Sequence, residues 1–225
     1  IQISATKMMI HLYIQNVLNR KDIFKTIQYY KSRNLSLNPK RKGRIIISNH
    51  SSLFDFSIVR RYIDCHCVAN LAKIFSDNVT PDELFNDYKL ISYDYSLESG
   101  VYVKTKILEL INQGRDVLIF PEGFQVRQSS RNECLLKEFK RGLFYLAYEN
   151  NISIIPISQW HYNNNDISYF DTYLINIMSN LPIENMNVDV IIEKEIKPCE
   201  FKAFDDFYRT CFQIIYDNLI KLKNK

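Results

Sequence analysis

Short apolar runs that stop abruptly in polar turns alternate along this chain with longer segments of helical periodicity. "RIIIS" (44–48), "HCVANLA" (66–72), "KLISYD" (89–94), "DVLIF" (116–120) and "ISIIPIS" (152–158) have the length and β-branched content of buried strands. Between them, "DFSIVRRYI" from Asp55, "LESGVYVKTKILELINQGR" and "LLKEFKRGLFYLAYEN" repeat apolar residues at helical spacing, and Gly114 closes the second of these. "DTYLINIM" and "NVDVIIEKEI" read as paired late strands, and "FDDFYRTCFQIIYDNLIKLK" as a last amphipathic helix. Pro156 inside its strand predicts an edge or a bulge. The alternation predicts an α/β fold with a central mixed, mostly parallel sheet flanked by helices.

A length of 225 residues suits one domain, and no repeat or Pro/Gly-rich linker divides it. Residues 39–225 are expected to form that domain, preceded by an N-terminal helical segment over 1–38. There "ATKMMIHLYIQNVLNRKDIFKTIQYY" sets apolar residues at helical spacing among lysines and arginines. This amphipathic helix either packs on the domain or lies at a membrane interface. The net charge of +4 permits attraction to phosphate-rich partners. "NPKRKGR" (38–44) is a phosphate contact or a solvated loop, and without an RNA-recognition or zinc-finger signature no nucleic-acid partner is expected.

The five cysteines are irregularly spaced, and the alternation of "CHC" (65–67) on a strand sends neighbours to opposite faces, so no metal site is expected. The cysteine pattern reads as reduced and cytosol-facing. No apolar run is long enough to span a bilayer. The sequence starts at Ile1, and an anchor preceding that residue is compatible with it.

Two polar clusters follow strands whose carboxyl ends are expected at one edge of the sheet, where ligands collect in such folds. In "IIISNHSSLFDF" (45–56), His50 and Asp55 stand five positions apart. On an ideal helix that spacing subtends about 140°, so the two meet only if the chain turns between them. Ser51 and Ser52 are suited to make such a turn and start a helix. Asp55 would then hold one imidazole nitrogen and leave the other as a base. The same residues equally suit a plain helix cap. In "VLIFPEGFQ" (117–125), Pro121 ends the strand's hydrogen bonding, Gly123 allows a turn closed to bulkier residues, and Glu122 is left at the strand end. No serine or cysteine sits in a nucleophile elbow. A His–Asp pair must therefore activate a hydroxyl or water supplied from outside.

Asn-His-x-x-x-x-Asp after one strand and Phe-Pro-Glu-Gly about seventy residues later together resemble the glycerolipid acyltransferase family, that of glycerol-3-phosphate and lysophosphatidate acyltransferases. "FKRG" (139–142), "IIPIS" (154–158) and Lys73 in "LAKIF" extend the likeness across roughly residues 40 to 160. The resemblance implies an O-acyltransferase in phospholipid biosynthesis or remodelling. His50 is the implied general base and Asp55 its orienting partner. Asn49, Phe120, Pro121, Glu122 and Gly123 would shape the acceptor site. The donor would be acyl-CoA or an acyl-carrier protein, used as co-substrate with no cofactor and no metal. The acceptor would be a lysophospholipid, foremost 1-acylglycerol-3-phosphate, or glycerol phosphate, met at a membrane surface with the site facing the cytosol. Two positions depart from the family pattern: Tyr95 and Gln125 stand where arginines are usual. Lys73, Arg127, Lys140 and Arg141 are left as the candidates to hold the phosphate. A CoA-independent phospholipid–lysophospholipid transacylase, and a non-catalytic lipid-binding protein on the same scaffold, are the alternative readings.

Overall fold

A computed structural model of the chain describes residues 26–31, 42–52, 55–70, 82, 85–86, 89–93, 96–126, 128–162 and 187–225. It contains seven strands in one sheet: β1 (Thr26–Lys31), β2 (Ile45–Ser48), β3 (Cys65–Ala69), β4 (Leu90–Ser92), β5 (Asp116–Ile119), β6 (Ile154–His161) and β7 (Asn187–Ile192). Their order is β1-β7-β6-β2-β5-β3-β4. From β6 to β4 every pairing is parallel, whereas β7 runs antiparallel to β6 and carries β1 parallel to itself at the far edge. The sheet is therefore mixed and mostly parallel, as the alternation of elements predicts.

Four helices are described: α1 (Asp55–Arg60), α2 (Leu97–Asn112), α3 (Arg141–Glu149) and α4 (Phe204–Lys223). The α2 helix starts where the Ser96 side chain accepts the Ser99 N–H, and it buries the stripe Val103, Ile107, Leu110 and Ile111. It ends at Gly114, whose φ of 78° is a left-handed conformation that suits glycine. The α4 helix turns Phe207, Cys211, Ile215, Leu219 and Leu222 inward and packs against β6 and α3. Ile45, Ile46 and Ile47 of β2 are wholly buried between the layers. Each such side chain contributes about 1.5–3 kcal/mol by leaving water, which is why a four-residue strand suffices at the sheet centre.

One expectation is corrected and another is narrowed. Residues 26–31 form a strand, not the end of a front helix. Thr, Ile and Tyr suit a pleated surface, and the ladder with β7 outweighs the helical spacing upstream. The rest of the expected front helix lies outside the described residues, as do "DTYLINIM", Lys73, Tyr95 and Arg127. Pro156 does not lie on an edge strand, since β6 sits between β7 and β2. A bulge adjoins it, however: Ile157 is level with Ile192 while Ile154 is level with Ile196, so residues 193–195 set one extra residue against Ile155 and Pro156. The Pro156 carbonyl accepts the Glu193 N–H at 3.0 Å just past the end of β7, so the missing donor falls where that ladder stops.

Candidate active site

Because Ile47 of β2 pairs with Ile119 of β5, the segments after Ser48 and Ile119 leave the sheet side by side. Strand β6 runs on past this point, since Ser48 is level with Ile157 and β6 continues to His161. Asn49 fills the rung that β2 vacates. Its Nδ2 donates to the Gln159 carbonyl at 2.9 Å and its Oδ1 accepts the Gln159 N–H at 2.8 Å. A side-chain amide thus replaces a backbone one and ties the next residue, His50, to the sheet.

The turn between His50 and Asp55 is built by Asp55 itself. Its Oδ2 accepts the backbone N–H groups of Ser51 (2.6 Å) and Ser52 (2.9 Å), as the third residue of a helix does in a capping box. The same oxygen accepts from His50 Nδ1 at 2.9 Å. The other oxygen, Oδ1, accepts from Nε2 of His161 at 2.8 Å. Asp55 has no exposed surface. Burial alone would push its carboxyl up, but the hydrogen bonds and charges of His161 and His50 outweigh it and hold the group well below the usual carboxylate range. An ionised Asp55 only accepts, so Nδ1 of His50 carries a proton, and in a neutral imidazole so placed the lone pair is on Nε2. The helix cap and the hydrogen-bonded His50–Asp55 pair, alternatives in sequence, are one arrangement.

Glu122 lies behind His50, with no exposed surface. Its Oε1 accepts the His50 backbone N–H at 3.0 Å, and its Oε2 accepts the Lys137 N–H at 3.0 Å. Arg131, also fully buried, forks onto the carboxylate with Nη2 to Oε1 at 2.6 Å and Nη1 to Oε2 at 3.1 Å. The remaining guanidinium N–H groups donate to the His50 carbonyl (3.0 Å), the Leu135 carbonyl (2.8 Å) and Ser51 Oγ (2.6 Å). Every donor of the fork is used, which is what allows a buried ion pair to offset its desolvation. The residue that replaces the family's usual arginine also serves this loop, because Gln125 Nε2 donates to the Ser51 carbonyl at 2.9 Å.

Phe120 stacks on the His50 ring with centroids 4.2 Å apart, and Pro121 is buried. The Gly123 φ is 80°, and a Cβ there would meet the Lys140 side chain at 3.1 Å, so the exposed lysine lies across the glycine. Arg141 faces elsewhere: it pairs with Asp205 and sits over the rings of Phe204 and Tyr208. In "CHC", burial pushes the Cys65 and Cys67 thiols up, leaving neutral thiols. No group of three or more potential metal ligands gathers among the described residues.

The pair His50–Asp55 and the Phe120–Gly123 turn are brought together as expected. Sequence reasoning missed Arg131 and His161. Arg131 stands in "SSRNE" without a motif, whereas His161 had one available signal, its place at the carboxyl end of a strand in the parallel set.

An imidazole held by a buried carboxylate at the carboxyl edge of an α/β sheet is an arrangement that can act as a general base. Comparison with known proteins gives it a family. Residues 27–160 match the family model described as Acyltransferase, and the chain belongs to that family. The fold is similar to that of the 1-acyl-sn-glycerophosphate (LPA) acyltransferase PlsC from Thermotoga maritima. The two have a TM-score of 0.64 and 16% identity, covering 90% of this chain and 74% of that one. A 100-residue stretch, 42% of the chain, is 33% identical to a protein described as cytochrome f from Picosynechococcus sp. (strain ATCC 27264 / PCC 7002 / PR-6). The match takes in only 30% of that relative's length.

Proposed function

We propose that the protein transfers a fatty acyl group from acyl-CoA to a hydroxyl of a lysophospholipid, foremost 1-acylglycerol-3-phosphate, at a membrane surface facing the cytosol. The observation that carries this reading is the bond from His50 Nδ1 to a buried, ionised Asp55, in a chain of the acyltransferase family. Nε2 of His50 takes the proton of the acceptor hydroxyl as its oxygen attacks the thioester carbonyl. The tetrahedral adduct collapses, the C–S bond breaks, and the imidazolium returns the proton to the departing thiolate. General-base help of this kind is worth about 10²–10⁴-fold, and the fixed geometry of the base adds to it.

Glu122 acts through the His50 backbone N–H that it holds and Asn49 by tying the preceding residue to β6, while Phe120 sets the ring's plane. Of the four candidates for the acceptor phosphate, Arg141 is committed to α4, and Lys140 lies over Gly123 beside the site. Lys140 is therefore assigned the phosphate, with Lys73 and Arg127 as further candidates.

A thiol-release assay tests the reading, with a panel of acyl-CoA donors set against glycerol-3-phosphate and several lysophospholipids. Release of free thiol matched by diacyl product, and absent in H50A, is the expected result. Acyl exchange from phospholipid donors without thiol release would replace it with the transacylase reading.

A further inference from the structure

Asp55 serves two histidines, and the transfer chemistry accounts for only one. His161 approaches from the end of β6, 106 positions away, and gives its Nε2 proton to Oδ1 at 2.8 Å, while His50 uses Oδ2. Its side chain is 3% exposed, and its Nδ1 has no hydrogen-bond partner among the described residues. Its one hydrogen bond there runs to Asp55. A buried imidazole on the far oxygen of a base's carboxylate has two physical effects. It fixes the carboxylate plane, and it draws off part of the negative charge that would otherwise favour a proton on the base.

We propose that His161 is a positioning residue for the acyl transfer inferred above, holding Asp55 opposite His50 and dividing the carboxylate's charge between two imidazoles so that the base releases its proton readily. The rest of the proposal follows from what surrounds the three side chains. Behind His50 stand Glu122 and Arg131, bound to each other and to the His50 backbone. On the β7 side Val188 is level with His161, and Asp189, one rung on, is taken by Tyr162 and Lys225. Among the described residues these charges are already paired, and Asp55 is the group hydrogen-bonded to both rings. Their protonation belongs to the unit and not to either ring alone.

The inference rests on the proposed function for its meaning but not for its test. Diethyl pyrocarbonate reacts with an imidazole only through an unprotonated nitrogen. Its pH-dependent labelling of His50 in the full chain, read by peptide mass spectrometry, needs no substrate. His161→Phe keeps a ring and removes the donor, whereas His161→Gln restores a neutral N–H. With H161F the labelling curve is expected to move to higher pH by about one unit, since Asp55 then acts on His50 alone. The acid limb of kcat/KM moves with it, and H161Q returns both toward the wild type. Superimposable H161F and wild-type labelling curves would overturn the role. So would an H161Q curve displaced as far as that of H161F, because lost shape would then be the cause. Should H161F not fold, His161→Met, with its adaptable side chain, is read in the same way. A wild type that labels as described but transfers no acyl group would sink the proposed function and leave this inference standing.

Discussion

Glu122 Oε1 accepts the backbone N–H of His50 at 3.0 Å across 72 positions of sequence, while Arg131 reaches past it to the His50 carbonyl. One peptide unit on each side of the His50 Cα is thereby gripped by a buried ion pair. Arg131→Met leaves the Glu122 charge without its partner and is expected to cost about 3–5 kcal/mol, measured as a shift in the urea midpoint. The double variant E122L/R131M removes both charges and should recover much of that stability. Activity should not return with it, because the His50 peptide has lost its clamp. Recovery of kcat together with stability would mean that the pair only supports the fold.

Asp55 both turns the chain and holds the base. Asp55→Asn keeps the shape but offers an amide where two histidines and two backbone N–H groups need an acceptor. The expected loss in kcat is about 10²–10⁴-fold. His50→Ala, which removes a ring retaining 12% exposure, should lose activity comparably with little change in thermal unfolding. Wild-type rates in either variant, with far-UV circular dichroism unchanged, would remove the pair from the chemistry.

The same aspartate sets an acid limit to stability. Its folded carboxyl lies well below the ordinary 3.8, so the unfolded chain binds the proton first. The stabilisation is complete above about pH 4 and drains away as pH falls further toward the folded value. Urea midpoints measured from pH 5 downward should fall steeply for the wild type and less so for D55N.

His66 titrates in a separate window. Burial first, then the charges of Lys89 and Arg115, lower it from 6.5 to about 4. Its neutral form belongs to the fold, so stability is full above pH 6.5 and declines as pH drops toward 4. His66→Phe should flatten the stability curve across that interval without altering the acyl-transfer pH profile. An unchanged slope would show that the ring takes up its proton without strain.

Gly123→Ala places a Cβ at a φ of 80° and 3.1 Å from the Lys140 side chain. The conformation costs about 1 kcal/mol, and the lysine must shift. The KM for a phosphate-bearing acceptor should rise in G123A and in Lys140→Gln, with donor KM unchanged. Equal rises for donor and acceptor would point to general disorder of the turn.

Much of this site was legible because its reactive pair is local. His50, Ser51, Ser52 and Asp55 close their turn within six residues, so strand-end placement and capping chemistry sufficed to foresee it. The parallel core was legible from "RIIIS" and "DVLIF", whose burial leaves continuous apolar runs. Arg131 was not, because no motif marks it and its bond to Ser51 spans 80 positions; His161 offered only its strand-end place, with Asp55 106 positions away. Strand β1 was hidden for a similar reason: pairing with β7 decides it, and helical spacing upstream pointed elsewhere. Pro156 marked the neighbouring bulge but left the strand order open, because a missing donor says that one rung is absent, not which strand is outermost.

The Asn49 amide that stands in for a rung of the ladder has a consequence for transplantation. A peptide covering residues 45–60 holds every atom of the His–Asp pair and of the turn between them but nothing that fixes the turn to the sheet, because that anchoring comes from β6 and from the segment beyond β5. Grafted alone into another scaffold, the stretch would be an ordinary helix start. The reactive unit that could be moved is the sheet edge as a whole, three strand ends wide.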